Sequence, residues 1–163
     1  MRLPEGVEWG LHAVVLLALT PPGACLPAAR IAEYHGVPAP YLAKHLQALA
    51  RAGVLESVPG ARGGYRLARP AGEIRVLDVV EALDGDPASF RCTEIRRRGP
   101  AALPAAEYRL PCAIHAAMLR ADAAWRAELA VSTAADLAHT VLATSSPRGL
   151  ELGAEWLAGV TAS

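Results

Sequence analysis

Two tight turns constrain this chain more than anything else in it. The first is Gly36-Val37-Pro38, set between two short helix-forming segments. The second is Pro59-Gly60-Ala61-Arg62-Gly63-Gly64, set between two strand-forming segments. Proline cannot continue a helix or a central strand, and glycine supplies the backbone angles a sharp reversal needs. Pro27 suits the first position of a helix running to about residue 35, with Ile31 inward. Pro40 opens a second helix to about residue 52. Leu42, Leu46 and Leu49 share its inner face at i, i+4 and i+7, and Gly53 is placed to close it. Residues 54–58 and 65–68 read as the paired strands.

Other elements fall around this centre. Residues 5 to about 19 form a helix with Val7, Leu11, Val14, Val15 and Ala18 as its apolar stripe, ended by Pro21-Pro22-Gly23. A short helix covers about 76–83. Residues 86–110 show no periodicity and read as loop. An Ala-rich helix spans about 111–129, and Ser132 or Thr133 caps another that reaches about 142. Beyond 144 the tail contains Ser, Pro and Gly and is expected to be partly disordered. The fold class is mainly α with a small β-hairpin wing: a winged helix-turn-helix plus a long dimerisation helix. Its expected parts are a DNA-binding domain over 1–85, a site-bearing loop over 86–110, dimerisation helices over 111–143 and a C-terminal tail over 144–163. With 163 residues, one domain and an extension are the expected size class.

The order helix, helix, tight turn, helix, Gly-rich hairpin points to double-stranded DNA. A helix fits the major groove, and the second helix of such a pair turns its N-terminal residues to base edges. Here those are Ala39, Pro40, Tyr41, Lys44 and His45. In the hairpin tip, glycines such as Gly63 permit close approach to a backbone, Arg62 suits a minor groove and Arg66 suits phosphate. Net charge is zero, but residues 30–75 hold seven basic and three acidic residues, against eight and eleven in 76–163. A basic module joined to an acidic one fits a DNA binder. Fifteen of the 16 basic residues are Arg, which reads as compositional bias rather than function.

The segments from Ile31 through Leu49, Ala52-Gly-Val-Leu55, Gly60 through Ala68 and Ile74 through Gly85 carry a resemblance. Together they resemble the Rrf2 family of bacterial winged-helix regulators, over roughly residues 1–140. The resemblance implies a homodimer joined through the long helix near 111–130, bound to a pseudo-palindromic operator. It also implies a sensory site. Family members that carry an iron–sulfur cluster have three cysteines between wing and long helix. Cys92 resembles the first and Cys112, followed by His115, the last; the middle one is absent. A two-iron cluster, [2Fe-2S], with mixed ligands fits two thiolates better than a four-iron one.

The family's clusters can take a carboxylate from the partner subunit's first helix, which makes Glu8 and His12 the candidate remaining ligands. They lie four apart, on one helix face about 6 Å apart along the axis. An ordinary solvent-facing pair has the same spacing. His115 is the rival ligand, and His35 is a candidate supporting group. Trp9, beside Glu8, is a core or interface aromatic, with a switch role as the sharper alternative. Cys25 reads as a small half-buried residue.

The expected function is therefore a dimeric DNA-binding regulator that senses redox state or nitric oxide through a [2Fe-2S] cluster with Cys, His and Glu ligands. The alternative is the same fold without a cluster, controlled by thiol oxidation, a small molecule or a partner protein. Zinc on Cys92, Cys112 and His115 is a third option. No nucleophile elbow or phosphate loop supports an enzyme. Residues 13–19 are apolar but too short to span a bilayer, and Glu5 and Glu8 outweigh Arg2 before them. Three cysteines form no disulfide framework, so a cytoplasmic, membrane-free location is expected.

Overall fold

The first helix is the hub around which the others pack. The computed structural model describes residues 3–60, 63–84 and 90–161. Helix α1 (Glu5–Ala18) touches α3 (Ala39–Arg51), α4 (Val76–Asp84) and α6 (Ala134–Thr144), and also α2 (Ala28–His35). Its burial is therefore wider than a single stripe. Val7 and Val14 are buried as their spacing predicts, but so are Ala13, Leu16 and Leu17, while Leu11, Val15 and Ala18 are only half-buried. A helix packed on several sides loses the simple amphipathic signal.

Two glycines on one face of α1 make this close packing possible. A Cβ added at Gly10 would stand 2.3 Å from Cδ1 of Leu83 on α4. At Gly6 it would stand 2.3 Å from the His45 ring on α3. Each glycine weakens a helix by about 1 kcal/mol relative to alanine, so close approach is what favours it there.

Helices α2 and α3 meet at the predicted turn, where Gly36 takes φ 64°. Leu42, Leu46 and Leu49 are completely buried beneath α1. Burial of each leucine contributes roughly 1.5–3 kcal/mol. Gly53, at φ 71°, closes α3, and Val54 donates back to the Leu49 carbonyl at 3.0 Å. Strands β1 (Leu55–Val58) and β2 (Gly64–Leu67) pair antiparallel, with Leu55 opposite Leu67. Leu26 adds a bridge to Tyr65, through bonds of 3.0 and 2.9 Å, and anchors the hairpin to the segment before α2.

The long helix α5 runs Ala113–Val131. Its C-terminal half is anchored by Trp125 and Leu129, which pack with Leu137 against Val7, Val76 and Val80. Thr133 then caps α6 in a reciprocal arrangement with Asp136. Ala134 donates to the Ile74 carbonyl at 2.8 Å, which ties α6 to the entrance of α4.

The tail departs from expectation. Residues Pro147–Thr161 form a helix, α7, and its Trp156, Leu157 and Val160 pack against the main core. Trp156 stacks on Tyr34 of α2 at 4.7 Å between ring centres, with the Arg30 guanidinium 5.7 Å from its ring. Apolar contact with α2, invisible to local composition, orders this segment. No helix among the described residues is long and apolar enough to cross a membrane.

Candidate functional site

Burying the leucine face of α3 turns its opposite face outward. Pro40, Lys44, Gln47 and Arg51 are exposed and spaced at i, i+4, i+7 and i+11. Tyr41 is 61% exposed, and the Lys44 ammonium lies 5.4 Å from its ring centre. Pro40, Tyr41 and Lys44 thus lie exposed on α3. Gln47 joins them, although the sequence reading passed over it; its i+3 spacing from Lys44 was the available signal. His45 differs. It is half-buried, with its ring over Gly6 and 6.1 Å from that of Trp9 in an edge arrangement. His45 therefore faces α1 rather than the outer face of α3.

In the hairpin, Gly63 donates to the Gly60 carbonyl at 2.9 Å, and a Cβ there would lie 2.2 Å from the Val58 carbonyl oxygen. Only glycine fits. Arg66 is exposed opposite Glu56 and engages it in a two-pronged pair, at 2.9 and 3.1 Å. Arg66 would have to share its guanidinium with a carboxylate to hold a phosphate. Arg62 lies outside the described residues.

The second candidate site is built at the start of α5. Cys112 occupies the cap position of this helix, where its sulfur lies near the free backbone N–H groups of the first turn without making a full capping hydrogen bond. The N–H of His115 is the largest influence and draws the Cys112 thiol below its usual range. Burial opposes it; the Ile114 N–H, a hydrogen bond with the Cys92 side chain and the charge of Arg96 add to it. The two thiols thus converge, although 20 positions separate them in sequence. Cys92 accepts the Glu94 N–H at 3.4 Å and donates to the Glu94 carboxylate at 3.9 Å. Glu94 holds φ 51°, the one left-handed non-glycine among the described residues.

The loop around the thiols is organised rather than irregular. Arg96 binds the Glu94 carboxylate at 2.7 Å and the Leu110 carbonyl at 2.8 Å. It also lies 5.0 Å from the Tyr108 ring centre. The Tyr108 hydroxyl donates to the Arg96 carbonyl at 2.6 Å and accepts from the Leu103 N–H at 3.0 Å. Short helical turns at Ile95–Arg97 and Ala105–Glu107 complete it. Sequence reasoning missed Glu94, Arg96 and Tyr108: Arg96 meets Leu110 and Tyr108 meets Arg96 across wide gaps, while Glu94 is set by its left-handed backbone between Cys92 and Arg96.

His115 sits in the first turn of α5, 6.1 Å from the Phe90 ring, and its Nδ1 is buried without a hydrogen-bond partner. Glu8 and His12 are exposed on α1. His12 faces His35 at 5.5 Å between rings, and burial first, then the neighbouring His12, holds His35 below its usual range. Trp9 packs against the main core. Among the described residues of the single chain, no three of His, Cys, Asp and Glu gather as a metal-holding group. The single chain thus does not bring the cysteine pair and the Glu8–His12 pair together as one such group.

Comparisons with known proteins bear on both sites. Residues 3–140 match the Rrf2 family, described as an iron-dependent transcriptional regulator. YwgB of Bacillus subtilis (strain 168), designated an HTH-type transcriptional regulator, is 34% identical over 85 residues, 52% of this chain and 54% of that protein. The chain thus spans about half the length of that relative. The oxidised form of CymR from Staphylococcus aureus superposes with a TM-score of 0.62 at 28% identity, covering 85% of this chain and 96% of that one. IscR from T. potens gives a TM-score of 0.67 at 24% identity, covering 90% and 93%, a likeness of fold alone.

Proposed function

The chain belongs to the Rrf2 family of transcriptional regulators, and on that premise we propose that it binds operator DNA as a homodimer and senses redox state or nitric oxide through a [2Fe-2S] cluster. Cys92 and Cys112 of one subunit would hold the cluster with Glu8 and His12 of the other. The observation that carries this reading is the split donor set. Two thiols converge at the head of α5, while a carboxylate and an imidazole stand exposed together on α1, and among the described residues no three such donors gather as a metal-holding group. Two half-sets on one chain make whole sets in a symmetric pair. The family description as iron-dependent supports the same choice.

Bound there, the cluster would supply reversible one-electron chemistry. The residues set its character. Two thiolates and one carboxylate leave an oxidised core, of charge about plus two, at about minus one overall, and a neutral His12 raises its potential. Oxygen and nitrogen donors hold iron less firmly than thiolate, which favours lability toward oxidants. The cap position of Cys112 favours its thiolate form before any metal arrives.

The dimer rests on α5. Ile114, Ala117, Met118 and Ala121 form an exposed apolar face at i, i+3, i+4 and i+7, with Ile114 64% exposed. Such a face suits packing against its own copy. In the pair, the outward faces of two α3 helices read two half-sites.

A second reading has its own support. Two adjoining thiols, one of them acidified, suit a reversible disulfide, and an oxidised CymR is among the similar structures. Oxygen-free purification separates the two. The cluster reading predicts a coloured protein with two irons and two sulfides per chain. A colourless, iron-free protein that binds DNA only in one thiol state contradicts it and supports the disulfide.

A further inference from the structure

One side chain closes the loop between the two cysteines. We propose that Arg96 is the positioning residue of the thiol pair: it ties the segment bearing Cys92 to the segment bearing Cys112 and places a cation beside both sulfurs. The proposal rests on reading the two thiols as the sensory site.

The links run in both directions from the guanidinium. Toward Cys92, Arg96 Nε binds Glu94 at 2.7 Å, and the Glu94 N–H donates to the Cys92 sulfur at 3.4 Å. Toward Cys112, Nη2 binds the Leu110 carbonyl at 2.8 Å, two residues before the thiol. The plane is steadied by the Tyr108 ring at 5.0 Å, and Tyr108 donates to the Arg96 carbonyl at 2.6 Å. A lone surface ion pair contributes little, about 0–1 kcal/mol. Arg96 differs in bridging two chain segments at once, which no lysine could copy with its single point of charge.

The left-handed Glu94 supports this. A non-glycine residue in that region costs about 1–3 kcal/mol and persists only where surrounding contacts hold it. Here Arg96 holds the side chain, while the Cys92 sulfur and the Arg97 N–H hold the backbone. Without the Arg96 guanidinium, the remaining cross-links, Tyr108 to the Arg96 carbonyl and Arg98 to the Thr93 carbonyl, do not reach Leu110, and loop entropy draws the sulfurs apart. Arg97 reaches Glu94 only at 3.7 Å and shares the Tyr108 ring at 5.3 Å, but among the described residues only Arg96 binds the Leu110 carbonyl, so Arg97 serves as the control for loss of a nearby charge.

The test uses the full-length chain, reduced and freed of iron, with dibromobimane, which fluoresces when it bridges two neighbouring thiols. Wild type should be bridged rapidly, and C92S and C112S not at all. R96Q should slow bridging roughly tenfold, R96K should recover only part of the rate, and R97Q should match wild type. Circular dichroism confirms that each variant is folded. Bridging of R96Q at the wild-type rate would overturn the proposal. In cluster-bearing protein, R96Q should also lower the midpoint potential, and R96K should lower it less; an unchanged potential in R96Q overturns the cation's role. A wild type that binds no iron defeats the cluster reading alone, since the bimane result still decides the clasp.

Discussion

His45 shows how much a single position depends on its neighbour across the fold. On the helix surface it reads as a DNA contact, one place after Lys44. In the structure its ring occupies the space that Gly6 leaves open on α1. The two residues form one packing unit, and the pair makes a prediction. Gly6→Ala would gain up to about 1 kcal/mol of helix propensity in isolation. In the folded chain its methyl meets the imidazole, and overpacking costs typically about 1–3 kcal/mol. Urea unfolding should therefore show G6A destabilised, with much of the loss returned in the G6A/H45A double variant relative to H45A. A G6A protein more stable than wild type would mean that the close contact does not exist. Cys112 teaches the complementary lesson. Its identity as a cysteine is plain in the sequence, but its position as helix cap, which acidifies it, depends on where α5 begins.

Among the elements, those with local signals were legible. The leucine spacing of α3, the glycine ends of α2 and α3, and the strand pair around the hairpin follow from rules within a few residues. The long helix starts two residues later than its apolar pattern suggests, because Pro111 and Cys112 stay outside the first turn. Contacts between distant residues were not legible. Arg96 meets Leu110, Tyr108 meets Arg96, and Trp156 meets Tyr34 across wide sequence gaps, and no periodicity records such pairings. For α7 a start signal was present all the same. Ser146 accepts the Gly149 N–H at 3.2 Å, directly before Pro147 in the first turn, a serine cap followed by proline. Because α7 rests on α2, it braces the first helix of the DNA-reading pair. Trp156→Ala should cost about 2 kcal/mol, less than a fully buried tryptophan because Trp156 is half-buried. Chemical denaturation measures this. A change within about 0.5 kcal/mol, normal for a surface site, would mean that α7 does not brace the module.

For the whole molecule, the proposed ligation across the dimer would place sensing and symmetry in the same contact. Glu8 and His12 sit on α1, the hub that also touches α3. If they reach the partner's Cys92 and Cys112, any change at the cluster acts on α1 and on the dimer contact together, and so on the spacing of two recognition helices. Coupling of this kind requires two states that differ at both sites. In the proposed dimer the exposed face of α5 supplies the contact, and the thiols sit at the head of that same helix. A trans arrangement can be tested by complementation. Chains carrying C92A/C112A and chains carrying E8A/H12A should each form colourless homodimers. Co-expressed with two different tags and isolated as the heterodimer, they should restore one cluster, from the cysteines of one chain and the Glu8–His12 pair of the other. Iron analysis should give about half the wild-type content per dimer. A heterodimer that stays iron-free, beside a wild type that is fully loaded, would contradict ligation across the dimer.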